Sequence, residues 1–192
     1  MRFTAFVSFP AMLGLAIVSQ ELIVISITEK WLPCVPVMQI LCVWGAFMPI
    51  STLYSNLMNS IGRPNVYMWN TIALGIFQLL CVWGSYPYGL NVMLIVYTAA
   101  NIFWLLIWHY FAHKHIGISL FNTLKDIAPY LIISVAVMTF TYWVAGYVKN
   151  IYLSLLAKIA LAASLYIFLM WSLKSTVFRE SLQYLIKKKT IQ

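Results

Sequence analysis

The chain has 192 residues, of which 63% are hydrophobic and 8% charged, and its mean hydropathy is +0.89. A soluble domain devotes about 25% of its residues to charge, so composition excludes that class and makes lipid the solvent. The net charge of +8, from 12 Lys and Arg against 4 Asp and Glu, is read as a signal of membrane orientation and not of nucleic-acid binding.

A hydrocarbon layer ~30 Å thick takes ~20 apolar residues per helical span. Six runs qualify: 3–27, 35–58, 66–83, 92–112, 127–148 and 151–173. They are continuous and lack the ten-residue alternation of a membrane barrel. Lipid offers no partner to open backbone groups, so the expected fold is an all-α polytopic bundle of six transmembrane helices over residues 1–173, followed by a basic cytoplasmic tail at 174–192.

The first run contains FPAMLGLAIVSQELI. Pro10 has no N–H for the Phe6 carbonyl and its ring crowds that carbonyl, so a bend is expected at Pro10. Gly14, one turn later, admits another helix close to the bend. Glu21 falls in the outer part of the bilayer, roughly 27 Å above the inner end at 1.5 Å per residue. Two readings stay open for it: snorkelling toward Lys30 and Trp31 at the outer interface, or facing an outward-opening cavity as part of an ion or substrate pathway. The run is too long for a secretory h-region and no cleavage site follows it, so no signal peptide is expected.

The second run, entered through EKWLP, carries Pro49 as a further hinge candidate and then a polar inner half. Ser51, Ser55 and Asn59 recur every four residues, and Thr52, Asn56 and Ser60 form the adjacent row. Leu53, Tyr54, Leu57, Met58 and Ile61 fill the other side. Small polar side chains commonly join helices to one another, but six such positions exceed that need and point to a water-filled cavity. Arg63 stands at the inner exit, within the break Gly62-Arg63-Pro64-Asn65. The third run repeats the pattern weakly with Asn70, Thr71 and Gln78, and the fourth with Tyr97, Thr98 and Asn101; for these, helix joining and cavity lining remain equal alternatives. His109, His113 and His115 end the fourth run with no carboxylate or thiolate near them in sequence, so they are expected at the interface and not around a metal.

The break 113–126 leads into the last two runs, which show no polar stripe and are expected at the periphery. Lys158, inside the sixth, is expected to snorkel, with a lipid-phosphate contact as the alternative. In the tail, Val177, Leu182 and Leu185 form an apolar edge beside Lys187 to Lys189, a pattern suited to anchoring on anionic lipid. Cys34, Cys42 and Cys81 form no CxxC pair and imply no disulfide framework. No G-x-S-x-G, Walker loop or H-E-x-x-H occurs, and the loops are short, so neither an enzyme nor a cofactor or metal is expected. Arg2, Arg63, Lys114, Lys125, Lys174, Arg179 and Lys187 to Lys189 fall on one side of the membrane, and Lys30 and Lys149 on the other. The positive-inside rule then places both termini in the cytoplasm.

The succession FPAMLGLA, EKWLPCVPVMQILCVWGAFMPI, NLMNSIGR and DIAPYLIIS resembles the C-terminal portion of the polysaccharide-transporter flippases, the Wzx-type lipopolysaccharide and O-antigen exporters. These belong to the multidrug/oligosaccharidyl-lipid/polysaccharide (MOP) superfamily. The resemblance runs from about residue 2 to 173 and rests on the order and spacing of many features. It implies a bacterial inner-membrane transporter of two pseudo-symmetric helical lobes. Its substrate would be an undecaprenyl-pyrophosphate-linked oligosaccharide, moved between leaflets by alternating access with an ion, not ATP, as the energy source. The sequence departs from that pattern in holding only what would be the C-terminal part. The implied partners are membrane lipids and a missing N-terminal lobe or a second copy, and no cationic site of the absent lobe carries over. The alternatives are a drug or ion exporter of the same superfamily and an inactive membrane remnant or scaffold.

Overall fold

A computed structural model describes residues 1–117, 119–146 and 150–172. The tail and its Val177, Leu182 and Leu185, together with Lys149, Lys174, Arg179 and Lys187 to Lys189, lie outside the described residues. Every regular element among the described residues is helical: α1 (Arg2–Ile17), α2 (Ser19–Ser26), α3 (Val35–Ser60), α4 (Pro64–Ser85), α5 (Leu90–Ile116), α6 (Leu120–Ala145) and α7 (Ile151–Ser172). Short 3-10 turns at Glu29–Cys34 and Tyr86–Tyr88 lead into α3 and α5. Five of the spans are long and apolar enough to cross a membrane, and α1 with α2, bent by 60° at Val18, passes the same test as a pair, which makes six if the pair is one broken span. The protein is an all-α multi-pass membrane protein.

Proline and glycine set the boundaries as expected of residues that start and stop helices. Pro36 and Pro64 stand in the first turns of α3 and α4, where the missing N–H has no intrahelical partner to lose. Gly117, at φ 74°, ends α5 and donates its N–H to the His113 carbonyl, a left-handed cap that a side chain would oppose. The expected break at 113–126 therefore shrinks to the turn around Gly117. His113, Lys114 and His115 occupy the last turn of α5, where cations meet the negative helix end.

The helices form a row in which α1 lies between α3 and α6, α3 packs on α5, α5 on α4, and α6 on α7; α2 folds onto α7. Ala46, Ile50, Tyr54 and Met58 of α3 are buried at a four-residue spacing, so one face of the helix turns into the lobe. There Ser8 donates to the Ala46 carbonyl at 3.0 Å, and Phe9 meets Phe47 edge to face at 5.3 Å between ring centres. Gly14 faces the end of Met138, and Gly45 faces Met12; the missing side chains let α1 approach both neighbours closely. Arg2 and Asp126 pair at 2.6 Å across the ends of α1 and α6.

The structure adds a break to the first span and corrects the expected periphery. The break in the first span lies at Val18, past Pro10, which stays within α1. The Phe6 carbonyl deprived of a donor by Pro10 accepts instead from the Tyr166 hydroxyl of α7 at 2.8 Å, so the proline is accommodated where it stands. Pro49 likewise lies inside a continuous α3. The outlying helix is α4, the least buried of the spans, whereas α6 and α7 carry much of the core through Tyr130, Val137, Tyr166 and Met170. Polar striping was the wrong guide to depth, because α6 and α7 pack through apolar and small residues on α1.

Candidate functional site

At Val18 the helical hydrogen-bond ladder is interrupted and carbonyls near the end of α1 lose their partners. Side chains replace those donors: Ser19 donates to the Ala16 carbonyl at 2.7 Å, Gln39 of α3 to the same carbonyl at 3.4 Å, and the Lys158 ammonium of α7 to the Ile17 carbonyl at 3.1 Å. Lys158 also forms an ion pair with Glu21, which occupies the first turn of α2. The cation thus sits at the negative end of α1 and the carboxylate at the positive end of α2, each favoured by the nearby helix pole. Ser154, one turn before Lys158, donates to Glu21 Oε1 at 2.9 Å, and Nζ lies 5.4 Å from the centre of the Tyr142 ring of α6. Glu21 is 7% exposed and Lys158 5%. Both are buried together, which overturns the snorkelling expected of Lys158 and the interfacial reading of Glu21. Glu21 Oε2 is buried with no hydrogen-bond partner. An apolar crevice of about 580 Å³ between α1, α6 and α7 reaches Lys158.

The polar half of α3 lies away from this cluster. Ser51 and Ser55 are half-buried, while Thr52, Asn56, Asn59, Ser60 and, beyond the helix, Arg63 are exposed. The hydroxyls of Thr52, Ser55 and Ser60 donate to the carbonyls of Met48, Ser51 and Asn56 at 2.9–3.1 Å. Those bonds leave the Asn56 and Asn59 amides and the Arg63 guanidinium outside the lobe's own core. An amide facing hydrocarbon without a partner costs several kcal/mol, so this face requires water or another polar surface against it.

The weaker stripe on α4 and α5 has a different role. Gln78 donates to Asn101 Oδ1 at 2.8 Å, Asn101 donates to the Tyr97 carbonyl at 2.8 Å, and the Trp104 indole donates to Asn70 Oδ1 at 2.8 Å. Asn70 and Asn101 are buried and Gln78 half-buried. These three candidates join α4 to α5, the alternative to lining a cavity. On α5, His109 is also buried, at 7% exposure, where its Nδ1 meets the Tyr54 hydroxyl at 2.9 Å and its ring stacks on His113. That corrects the interfacial placement expected for His109. No group of three or more His, Cys, Asp or Glu among the described residues is arranged to hold a metal ion.

Sequence reasoning missed Ser154, Tyr166, Trp104 and Tyr54 as polar partners, and missed that Glu21 and Lys158 find each other. The last was open to inference: each is a lone charge in its span, set a similar distance from the end of its helix.

Comparison with known proteins adds two partial matches. Residues 1–36 match a family described as "Polysaccharide biosynthesis protein". A stretch of 54 residues is 35% identical to a protein of Klebsiella pneumoniae described as an "Uncharacterized membrane protein in cps region". That match covers 28% of this chain and 11% of the Klebsiella protein. No solved structure matches the chain.

Proposed function

We propose that the chain is one lobe of a transporter that flips a lipid-linked oligosaccharide, of the undecaprenyl-pyrophosphate type, across the bacterial inner membrane, with both termini in the cytoplasm. The observation that carries this reading is the uncovered Ser, Thr and Asn face of α3, ending at Arg63. Within a membrane such a face suits a hydrated path: neutral hydroxyls and amides exchange hydrogen bonds with a sugar's hydroxyls, and a guanidinium at the mouth suits phosphate oxygens. The match of residues 1–36 to polysaccharide biosynthesis supports the same substrate class. Glu21 is engaged by Ser154 and Lys158 of α7, and on this reading it makes no sugar contact. The reading needs a second lobe, from another polypeptide segment or a second copy, because alternating access rocks one bundle against another around a shared site.

The test is complementation of a bacterial strain lacking its own oligosaccharide flippase. The 192-residue chain acting as a monomer leaves export unrestored on this reading. Restoration by the monomer overturns it, and restoration that depends on dimer formation identifies the second copy as the second lobe.

A further inference from the structure

The Glu21–Lys158 cluster is built around an unmet need. The carboxylate has one oxygen bonded to Ser154 and Lys158 and another, Oε2, that is buried without a partner. Lys158 holds two groups that stand apart along the broken span: the Ile17 carbonyl, which ends α1, and the Glu21 carboxylate, which begins α2. Among the described residues it is the one side chain from a third helix that bonds to both halves of the break. In an unbroken helix the Ile17 carbonyl would accept the Glu21 N–H; here it accepts from Lys158 instead. The bent state of the span and the ion pair are therefore mutually dependent.

We propose that Glu21 is a proton-binding site whose occupancy unlatches α2 from α7 and lets the break at Val18 relax. The ligand is one proton, taken from the water beside the exposed end of α2 at Ser26 to Thr28, and it binds Oε2. One O–H bond forms and no covalent bond breaks. The cluster gains a single positive charge, carried by an ammonium that has lost its counter-ion. A buried ammonium without a counter-ion is strongly disfavoured. It leaves toward the start of α7 and the interface, as a long side chain on an apolar stem does. The Ile17 carbonyl then has the Glu21 N–H as its available donor, and the two helices move toward one continuous span.

The charged and titratable groups around α2 are few. From α7 they are Lys158 alone in contact, with Ser154 as a neutral donor; from α6 the Tyr142 ring lies against Nζ. The turn Glu29–Cys34 brings Glu29 and Lys30, both exposed, and Cys34. On α3, Gln39 is the polar contact at the break and Cys42 the nearest titratable group in sequence, while α1 has no titratable side chain beyond Arg2 at its opposite end. Glu21 is thus the acid whose neutralisation changes the latch. The latch is a property of the lobe in a membrane and is independent of the transported substrate.

The experiment measures the distance between spin labels at Ser26, on the exposed end of α2, and Tyr152, on the exposed start of α7. The full chain is held in nanodiscs of phosphatidylethanolamine and phosphatidylglycerol, with Cys34, Cys42 and Cys81 replaced by alanine. Complete loss of the 60° bend would carry the end of the eight-residue α2 by up to about 12 Å at 1.5 Å per residue. The expected result is one short distance at about pH 8 and a second, longer population by several ångströms at about pH 3.5, on the acid side of an ordinary glutamate. Glu21→Gln, which is permanently uncharged, gives the longer distance at both pH values, as does Lys158→Met. Lys158→Arg, which keeps the cation, returns the short distance at the higher pH. A distance distribution unchanged by pH in the native chain overturns the proposal. So does a short distance in Glu21→Gln with helix content matching the native chain by circular dichroism.

Discussion

Lys158 is a charge inside an apolar helix that no local pattern explains, and its cost is met by contacts from three other helices. Burying an ammonium and a carboxylate together gives back their mutual attraction against two desolvation penalties, so the pair as a whole is not a large source of stability. Removing one partner is another matter, because it strands the other. Lys158→Met is expected to destabilise the fold by about 3–5 kcal/mol, since Glu21 is left buried and unpaired. The double variant Glu21→Gln with Lys158→Met is expected to recover most of that loss. Thermal unfolding in a mild detergent, followed for all four members of the cycle, checks it: additive effects of the two substitutions would show that the residues do not act as a pair.

At the level of the helix, the sequence made some features plain and hid others for physical reasons. Span locations were legible because ~20 consecutive apolar residues have few alternatives in a folded chain. The polar stripe of α3 was legible because a four-residue spacing maps onto one face, and the structure leaves that face largely uncovered. The break at Val18 was not, since Pro10 is the stronger local signal, and the carbonyl that Pro10 leaves without a donor is met by Tyr166, a residue 160 positions away from Phe6. The Glu21–Lys158 pair joins residues 137 apart, and spacing within one helix carries no information about such a contact. The uncovered face of α3 makes its own prediction. With the native cysteines replaced, single cysteines at Ser51, Thr52, Ser55 and Asn56 should react with a small membrane-impermeant thiol reagent in the assembled transporter. Cysteines at Leu53 and Leu57 should react much more slowly, and the buried Met58 provides a protected reference. Equal protection at all the polar positions would instead mean that another helix covers this face, with hydroxyls and amides bonding across the joint.

For the whole lobe, orientation follows from charge and from the count of crossings together. Counting α1 with α2 as one broken span gives six crossings, an even number that returns the chain to its starting side. Arg2 and Arg63, with Lys114 and Lys125, then gather at one end of the bundle, while Lys30 falls at the other. Had α1 and α2 been a re-entrant hairpin, Arg2 would share the side of Lys30, and with the N-terminus kept in the cytoplasm every later crossing, Arg63 included, would reverse. The two arrangements differ in one measurable way. A reporter active only in the cytoplasm should be active when fused after Gln192 or inserted in the Gly62–Asn65 turn, and silent when inserted at Lys149-Asn150. Activity at Lys149-Asn150 with silence at Gly62–Asn65 would reverse the orientation. Opposite states for the Gly62–Asn65 turn and a fusion at Gln192 would break the even count, because an even number of crossings separates those two points on the proposed path. The reversed orientation would place Glu21 toward the cytoplasmic side, and with it the side from which a proton reaches the latch.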